Sequence, residues 1–303
     1  MLDETARGVF TIAATPFLPD GALDEASLDT MTEFYQERGA TGLTILGIMG
    51  EAGKLSAEES ARAIERICAR ASVPVIVGVS APGFAAIESL SKIAMDKGAA
   101  GVMVAPPAAL KTDSQILTYF QTVADRLGDT PWVLQDFPLV TNVVVDPSVI
   151  LKIIDTCPTM KMLKHEDWPG LEKIAALRKA SDAGGRRISI LCGNGGQFLL
   201  EEMIRGADGA MTGFAYPEMM RDVVRLMSDG KETAARDVFD AYLPLIRYES
   251  QPGLGLAIRK YILAKRGAIA HPTVRAPGPK LSDASVAEIE ALIARQESRL
   301  ASL

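Results

Sequence analysis

Residues 75–107 read VIVGVSAPGFAAIESLSKIAMDKGAAGVMVAPP. Two runs rich in Val, VIVGVS from Val75 and AGVMVAP from Ala100, flank a stretch over 83–97 that reads as a helix. Neither run alternates with polar residues, which marks strands covered on both faces, as in a parallel sheet. The helix closes on Gly98-Ala-Ala-Gly101. The first glycine suits the left-handed turn after a helix, and the second lets the next strand start close by. Strand, helix, tight turn and strand make one βαβ unit.

The same unit recurs in both directions. Gly-Ala-x-Gly also stands at Gly39–Gly42 and Gly206–Gly209. Apolar runs begin near Val9, Leu43, Val75, Ala100, Pro131, Met160, Ile188 and Gly209, at intervals of 21 to 34 residues. Each interval holds one strand, one helix and two short loops. A helix from Asp24 places Leu28, Met31, Phe34 and Tyr35 on one face; Ser56 and Glu59 have capping-box spacing ahead of another. Further helices are expected over 113–127, 147–156, 168–181, 195–206 and 216–229. Eight strands, each followed by a helix, predict an α/β fold of the (β/α)8 TIM-barrel type. An open doubly wound sheet would carry a GxGxxG turn after its first strand, and none follows VFTIAA. Beyond residue 230 the strands stop, and 231–249, 253–267 and 282–302 read as amphipathic helices. The expected organisation is a barrel over 1–230 and a C-terminal helical extension over 231–303 packed on it.

Composition narrows the function. The chain has 303 residues, 48% of them apolar and 23% charged, as a globular protein does. With 32 basic against 38 acidic side chains the net charge is −6, which disfavours a nucleic-acid partner. Cys68, Cys157 and Cys192 are far apart, and His165 and His271 are the only histidines, so neither a disulfide framework nor a metal site is signalled. MLDETARGVF has no basic stretch leading into an apolar one, and no run of 18 apolar residues occurs, so a cytoplasmic protein with no membrane partner is expected.

Chemistry in such a barrel sits at the C-terminal ends of the strands. Lys164 ends the sixth, in MKMLKHEDW. Burial disfavours its charged form and leaves a free amine, which can attack a ketone and form a Schiff base. The alternative is a surface lysine; Lys161 and Lys164 face opposite sides, so at most one points inward. If the strand continues, Glu166 shares the side of Lys164 and can move protons; it could equally be a carboxylate favouring the N-terminus of the next helix. His165 is expected to face away. Gln135 and Asp136 end the fifth strand, and either could face the axis. Gly47 and Gly50 flank Ile48 and Met49 in a turn that can present backbone N–H groups to a carboxylate. CGNGG, with Gly193, Gly195 and Gly196, is either an anion cradle or a tight turn that opens room over the barrel.

Together these stretches resemble the dihydrodipicolinate synthase/N-acetylneuraminate lyase superfamily of Schiff-base barrels. The likeness runs from residue 8 to about 215 through ATPFLPDGALD (14–24), GIMGEAGKLSAEE (47–59), FPLVT (137–141), MLK (162–164), CGNGG (192–196) and GADGAMTG (206–213). It implies an imine between Lys164 and a small-molecule 2-oxo acid, a substrate carboxylate gripped by the Met49 and Gly50 backbone, a substrate-binding Gly193, a homotetramer and no cofactor. The departures are specific. Ile48 and Met49 replace the two threonines of the family's Gly-Thr-Thr-Gly-Glu motif. Gln135 and Asp136 replace its Tyr-Asn, removing the tyrosine acid/base. Val140 stands where the synthases carry an arginine, and APPAALKT (105–112) has no counterpart of their interface tyrosine. Glutamine at that tyrosine position, with a glutamate two residues after the lysine, resembles the subgroup of L-2-keto-3-deoxyarabonate dehydratases.

The expected function is therefore a Schiff-base hydro-lyase acting on a 2-keto-3-deoxy sugar acid of pentose metabolism. Lys164 would carry the imine, Glu166 the proton, and Gln135 would orient the departing hydroxyl; no metal is needed. The alternatives are a pyruvate-releasing aldolase of the same family and a non-catalytic 2-oxo-acid sensor.

Overall fold

The computed structural model describes residues 1–168 and 170–303. Eight short parallel strands pair in sequence order: β1 (Gly8–Ile12), β2 (Gly42–Ile45), β3 (Val75–Gly78), β4 (Gly101–Val104), β5 (Trp132–Asp136), β6 (Met160–His165), β7 (Ser189–Cys192) and β8 (Gly209–Ala210). Gly8 of β1 pairs with Gly209 of β8, which closes the ring into a (β/α)8 barrel. The helices outside are α1 (Glu25–Glu37), α2 (Ala57–Arg70), α3 (Phe84–Asp96), α4 (Asp113–Leu127), α5 (Pro138–Thr141), α6 (Pro147–Thr156), α7 (Leu171–Asp182), α8 (Leu199–Ile204) and α9 (Pro217–Ser228). Three more, α10 (Glu232–Glu249), α11 (Gly255–Lys265) and α12 (Asp283–Leu300), follow the last strand.

Local chemistry sets these boundaries. Asp24 caps α1 by accepting from the Ser27 N–H, and Ser56 with Glu59 forms the complete capping box of α2. The Gly-Ala-x-Gly repeat does what its spacing suggests. Gly39, Gly98 and Gly206 have φ of 89°, 93° and 101°, and a Cβ at Gly101 would lie 2.7 Å from the Pro131 carbonyl. Two segments differ from expectation. The helix expected over 195–206 shrinks to α8, because Asn194, Gly195 and Gly196 all take positive φ (52°, 68° and 76°) and form a single 3-10 turn first. FPLVT folds as the one-turn helix α5, which its length concealed. Pro169, inside the helix expected over 168–181, lies outside the described residues; α7 starts at Leu171.

Alternation along the strands sorts side chains into two cores. Phe10, Ile12, Ile76, Met103, Val133 and Met162 fill the barrel interior. Val77, Val104, Trp132, Leu134, Leu163 and Ile190 face the helices, where Trp132 stacks on Phe120 with centroids 5.8 Å apart. The extension shares a third cluster with α9 and Val9 of β1, through Phe239, Leu245, Ile258 and Ile289. No helix among the described residues is long and apolar enough to cross a membrane.

One buried acid sits badly in this packing. Glu202 of α8 lies beside Cys192, and burial pushes its carboxyl up to about 8 from an ordinary value of 4.5. Between those two pH values the unfolded chain releases a proton that the folded chain keeps. Stability must therefore fall as pH rises through that window. Glu202→Gln is expected to raise Tm at pH 8 by several degrees and to change it little at pH 4.5. Paired thermal melts at the two pH values check this; an equal shift at both would contradict the assignment.

Candidate active site

The top layer of the barrel is built by the parity of two strands. In β6, Met162 points inward, so Lys164 does too, one layer nearer the mouth. In β5, Val133 points inward, so Gln135 does too, and the register sets Gln135 directly opposite Lys164. The ladder runs one residue past the end of β6, because the Glu166 N–H donates to the Asp136 carbonyl at 2.8 Å. Glu166 therefore keeps strand geometry and turns to the same side as Lys164.

These three side chains meet. Lys164 Nζ lies 2.8 Å from Glu166 Oε1, and Gln135 Nε2 donates to the same oxygen at 2.7 Å. All three are buried, with 4–5% of their surface exposed. Asn194 Nδ2 fixes the glutamate's backbone by donating to its carbonyl at 3.1 Å. Among the described residues, no tyrosine hydroxyl bonds to any of the three, and nothing donates to Gln135 Oε1. An ammonium in this setting is desolvated but charge-compensated, and its proton has an acceptor already in contact. Proton exchange between amine and carboxylate is the elementary step the arrangement allows.

Asp136 and His165 face outward. Lys173 of α7 bridges Asp136 Oδ2 and Asp167 Oδ2, both at 2.7 Å. Burial pushes the Asp167 carboxyl up, but the Lys173 hydrogen bond and charge outweigh this and hold it below its ordinary value. His165 Nε2 lies 3.1 Å from the Gly170 carbonyl. This buried group clamps the loop after β6, and nothing in the sequence marked Lys173 as part of it.

The glycine turns need correction. The Gly50 N–H donates to the Gly47 carbonyl at 3.0 Å, so it cannot grip a carboxylate. Among the described residues, the N–H groups in this turn without an acceptor are those of Gly47, Ile48 and Met49. Met49, expected as a donor, has a free N–H and so does Ile48, whereas that of Gly50 is engaged within the turn. Leu46 and Glu51, neither a glycine, bracket the turn with φ of 54° and 53°. Each such residue costs about 1–2 kcal/mol, so the surroundings must hold it there.

At Gly193 the N–H is engaged, while the carbonyl keeps one of its two lone pairs. The N–H donates to the His165 carbonyl at 2.8 Å and the carbonyl accepts from the Gly196 N–H at 3.0 Å. The missing side chain also provides space. A Cβ there would collide with Glu166 Cγ and lie 2.6 Å from Oε2. Beyond it, the N–H groups of Gly195, Gly196 and Gln197 are taken by Thr212 Oγ1, the Gly193 carbonyl and the Asn194 carbonyl. CGNGG is thus the tight turn and not the anion cradle. Among the described residues, no group of three or more His, Cys, Asp or Glu side chains could hold a metal ion.

A closed (β/α)8 barrel with a buried lysine, a glutamate and a glutamine at its mouth defines a class of enzyme. The Dihydrodipicolinate synthetase family matches residues 5–296, and the chain belongs to that family of lyases and aldolases, which act on small molecules. The chain is 29% identical to the L-2-keto-3-deoxyarabonate dehydratase of Azospirillum brasilense over 95% of its own length and 94% of the relative's. It is 30% identical to a 4-hydroxy-tetrahydrodipicolinate synthase of Sorangium cellulosum (strain So ce56), over 96% of each chain. The crystal structure of a protein described as dihydrodipicolinate synthase from Rhodopseudomonas palustris superposes with a TM-score of 0.96 at 53% identity, covering 97% of this chain and 99% of that one.

Proposed function

We propose that this enzyme dehydrates a 2-keto-3-deoxy sugar acid, with L-2-keto-3-deoxyarabonate as substrate and 2-oxoglutarate semialdehyde as product. The observation that carries the reading is the shared oxygen of Glu166. It contacts both the amine of Lys164 and the amide of Gln135, where a tyrosine hydroxyl would serve cleavage chemistry.

Lys164 hands a proton to Glu166 and attacks C2 of the ketone; Glu166 returns that proton as the ketone oxygen leaves as water, which gives an iminium beside a free carboxylate. The iminium withdraws electrons, so the C3–H bond becomes acidic. Glu166 takes that proton, and the electron pair becomes an enamine. The enamine expels the C4 hydroxyl, which leaves as water with the proton returned by Glu166. Gln135 cannot exchange protons, but its amide can hold that hydroxyl in line with the breaking bond. Loss of a C5 proton and return of a proton to C3 convert the C5 carbinol into an enol and then an aldehyde. Hydrolysis of the iminium restores Lys164. The substrate carboxylate sits at the Ile48 and Met49 N–H groups. Likeness to the Azospirillum brasilense dehydratase supports the choice of substrate. The reading includes a homotetramer working in the cytoplasm.

Product identification tests it. Five-carbon 2-keto-3-deoxy acids should give semialdehydes and six-carbon ones 2,5-diketo acids, fastest for L-2-keto-3-deoxyarabonate, with no free pyruvate from either. Release of pyruvate would assign the enzyme to C3–C4 cleavage instead, and turnover of none of them would make it a sensor.

A further inference from the structure

The turn that offers the Ile48 and Met49 N–H groups is not held by the barrel alone. Its last residue, Glu51, is buried, and its carboxylate is clamped from two directions. Oε1 meets Lys260 Nζ of α11 at 2.5 Å. Oε2 meets Lys54 Nζ at 2.8 Å and the Arg275 N–H at 3.1 Å. Lys260 also donates to the Thr273 carbonyl at 2.8 Å, and Lys54 to the Arg275 carbonyl at 2.7 Å. Arg275 in turn donates to the Lys54 carbonyl at 2.7 Å and pairs with Glu59 of α2 at 2.6 Å. Both Lys260 Nζ and the Arg275 guanidinium lie over the Phe17 ring, 4.5 and 4.2 Å from its centroid. Every cation here has a carboxylate or carbonyl within bonding distance. Breaking one contact weakens the compensation of the buried Glu51 carboxylate, so the group resists rearrangement.

We propose that the segment Thr273–Pro277 of the C-terminal extension is a strap that, through Lys54, Lys260 and Arg275, holds Glu51 in its left-handed conformation and so aims the Ile48 and Met49 N–H groups at the substrate carboxylate. These are positioning residues, and the extension is part of the binding apparatus of the barrel. The proposal deepens the functional reading above and rests on it. Its consequence is a division of labour: the strap governs capture of the carboxylate, while Lys164 and Glu166 carry out the chemistry.

Borohydride trapping of Lys164 separates the two. Pyruvate carries the carboxylate; acetone presents the same methyl ketone without it. In Lys54→Met, and in the double variant Glu51→Gln with Lys260→Met, the pyruvate concentration giving half-maximal trapping should rise between about tenfold and about a hundredfold. Acetone trapping should stay as in the unaltered enzyme, KM for the sugar acid should rise with pyruvate, and kcat should change little. Lys54→Arg, which keeps the cation, should restore most of the loss. Lys54 is 27% exposed, so its variants keep the test open if the double variant does not fold. Unchanged pyruvate trapping in folded variants, or an equal fall with acetone, would overturn the strap and leave the functional reading standing. If the unaltered enzyme traps pyruvate no better than acetone, the carboxylate reading of the turn itself fails.

Discussion

Replacing Lys164 by alanine should lower turnover by about 10⁴-fold or more and abolish trapping by any 2-oxo acid. Without the imine there is no electron sink, and the C3–H bond keeps the low acidity of a simple ketone. No neighbour can substitute. Lys161, the other lysine of β6, pairs with Glu4 at 2.7 Å, and Lys173 is held between Asp136 and Asp167 on the outer face. The alanine also leaves Glu166 without its cation. Lys164→Arg is therefore the informative companion, because it keeps a charge beside the carboxylate and cannot form the imine. Both variants should be inactive, with the arginine form closer to the unaltered Tm. Measurable turnover in a folded Lys164→Arg protein would mean that the amine has no covalent role.

Glu166→Gln should separate capture from chemistry. The amide is nearly the same size, so the gap over Gly193 stays filled and Lys164 remains buried. A glutamine cannot accept the C3 proton. Turnover is expected to fall by about 10²–10⁴-fold, the usual worth of a positioned acid/base. Borohydride trapping of pyruvate should survive at a reduced rate. Exchange of the pyruvate methyl protons for deuterium in heavy water reads the proton step directly: the unaltered enzyme should catalyse it and Glu166→Gln should not. Exchange at the unaltered rate in the variant would move the base elsewhere.

How much of this was written in the residues depends on the range of the interaction. Lys164 and Glu166 are two apart on a strand, and alternation alone puts them on one side. The barrel followed from the spacing of the runs, because each βα unit carries its own turn signal. Gln135 and Asp136 are both polar and buried, and residue type could not choose between them. Parity from Val133 decided, and an apolar run such as Trp132–Leu134 does not say which of its residues faces the barrel interior. The glycines misled for another reason. Whether the Gly50 or Gly193 N–H is free depends on which carbonyl lies behind it, and composition carries no record of that. The clamp on Glu51 was invisible because two of its three partners, Lys260 and Arg275, stand 209 and 224 residues further along the chain.

The central claim is covalent: the sixth-strand amine bonds to the carbonyl carbon of the substrate. Peptide mapping by mass spectrometry after borohydride reduction with L-2-keto-3-deoxyarabonate tests it most directly. The account predicts one adduct per chain, on the peptide containing Lys164. A fully active enzyme that carries no adduct, or carries it on Lys173 or Lys260, would contradict it.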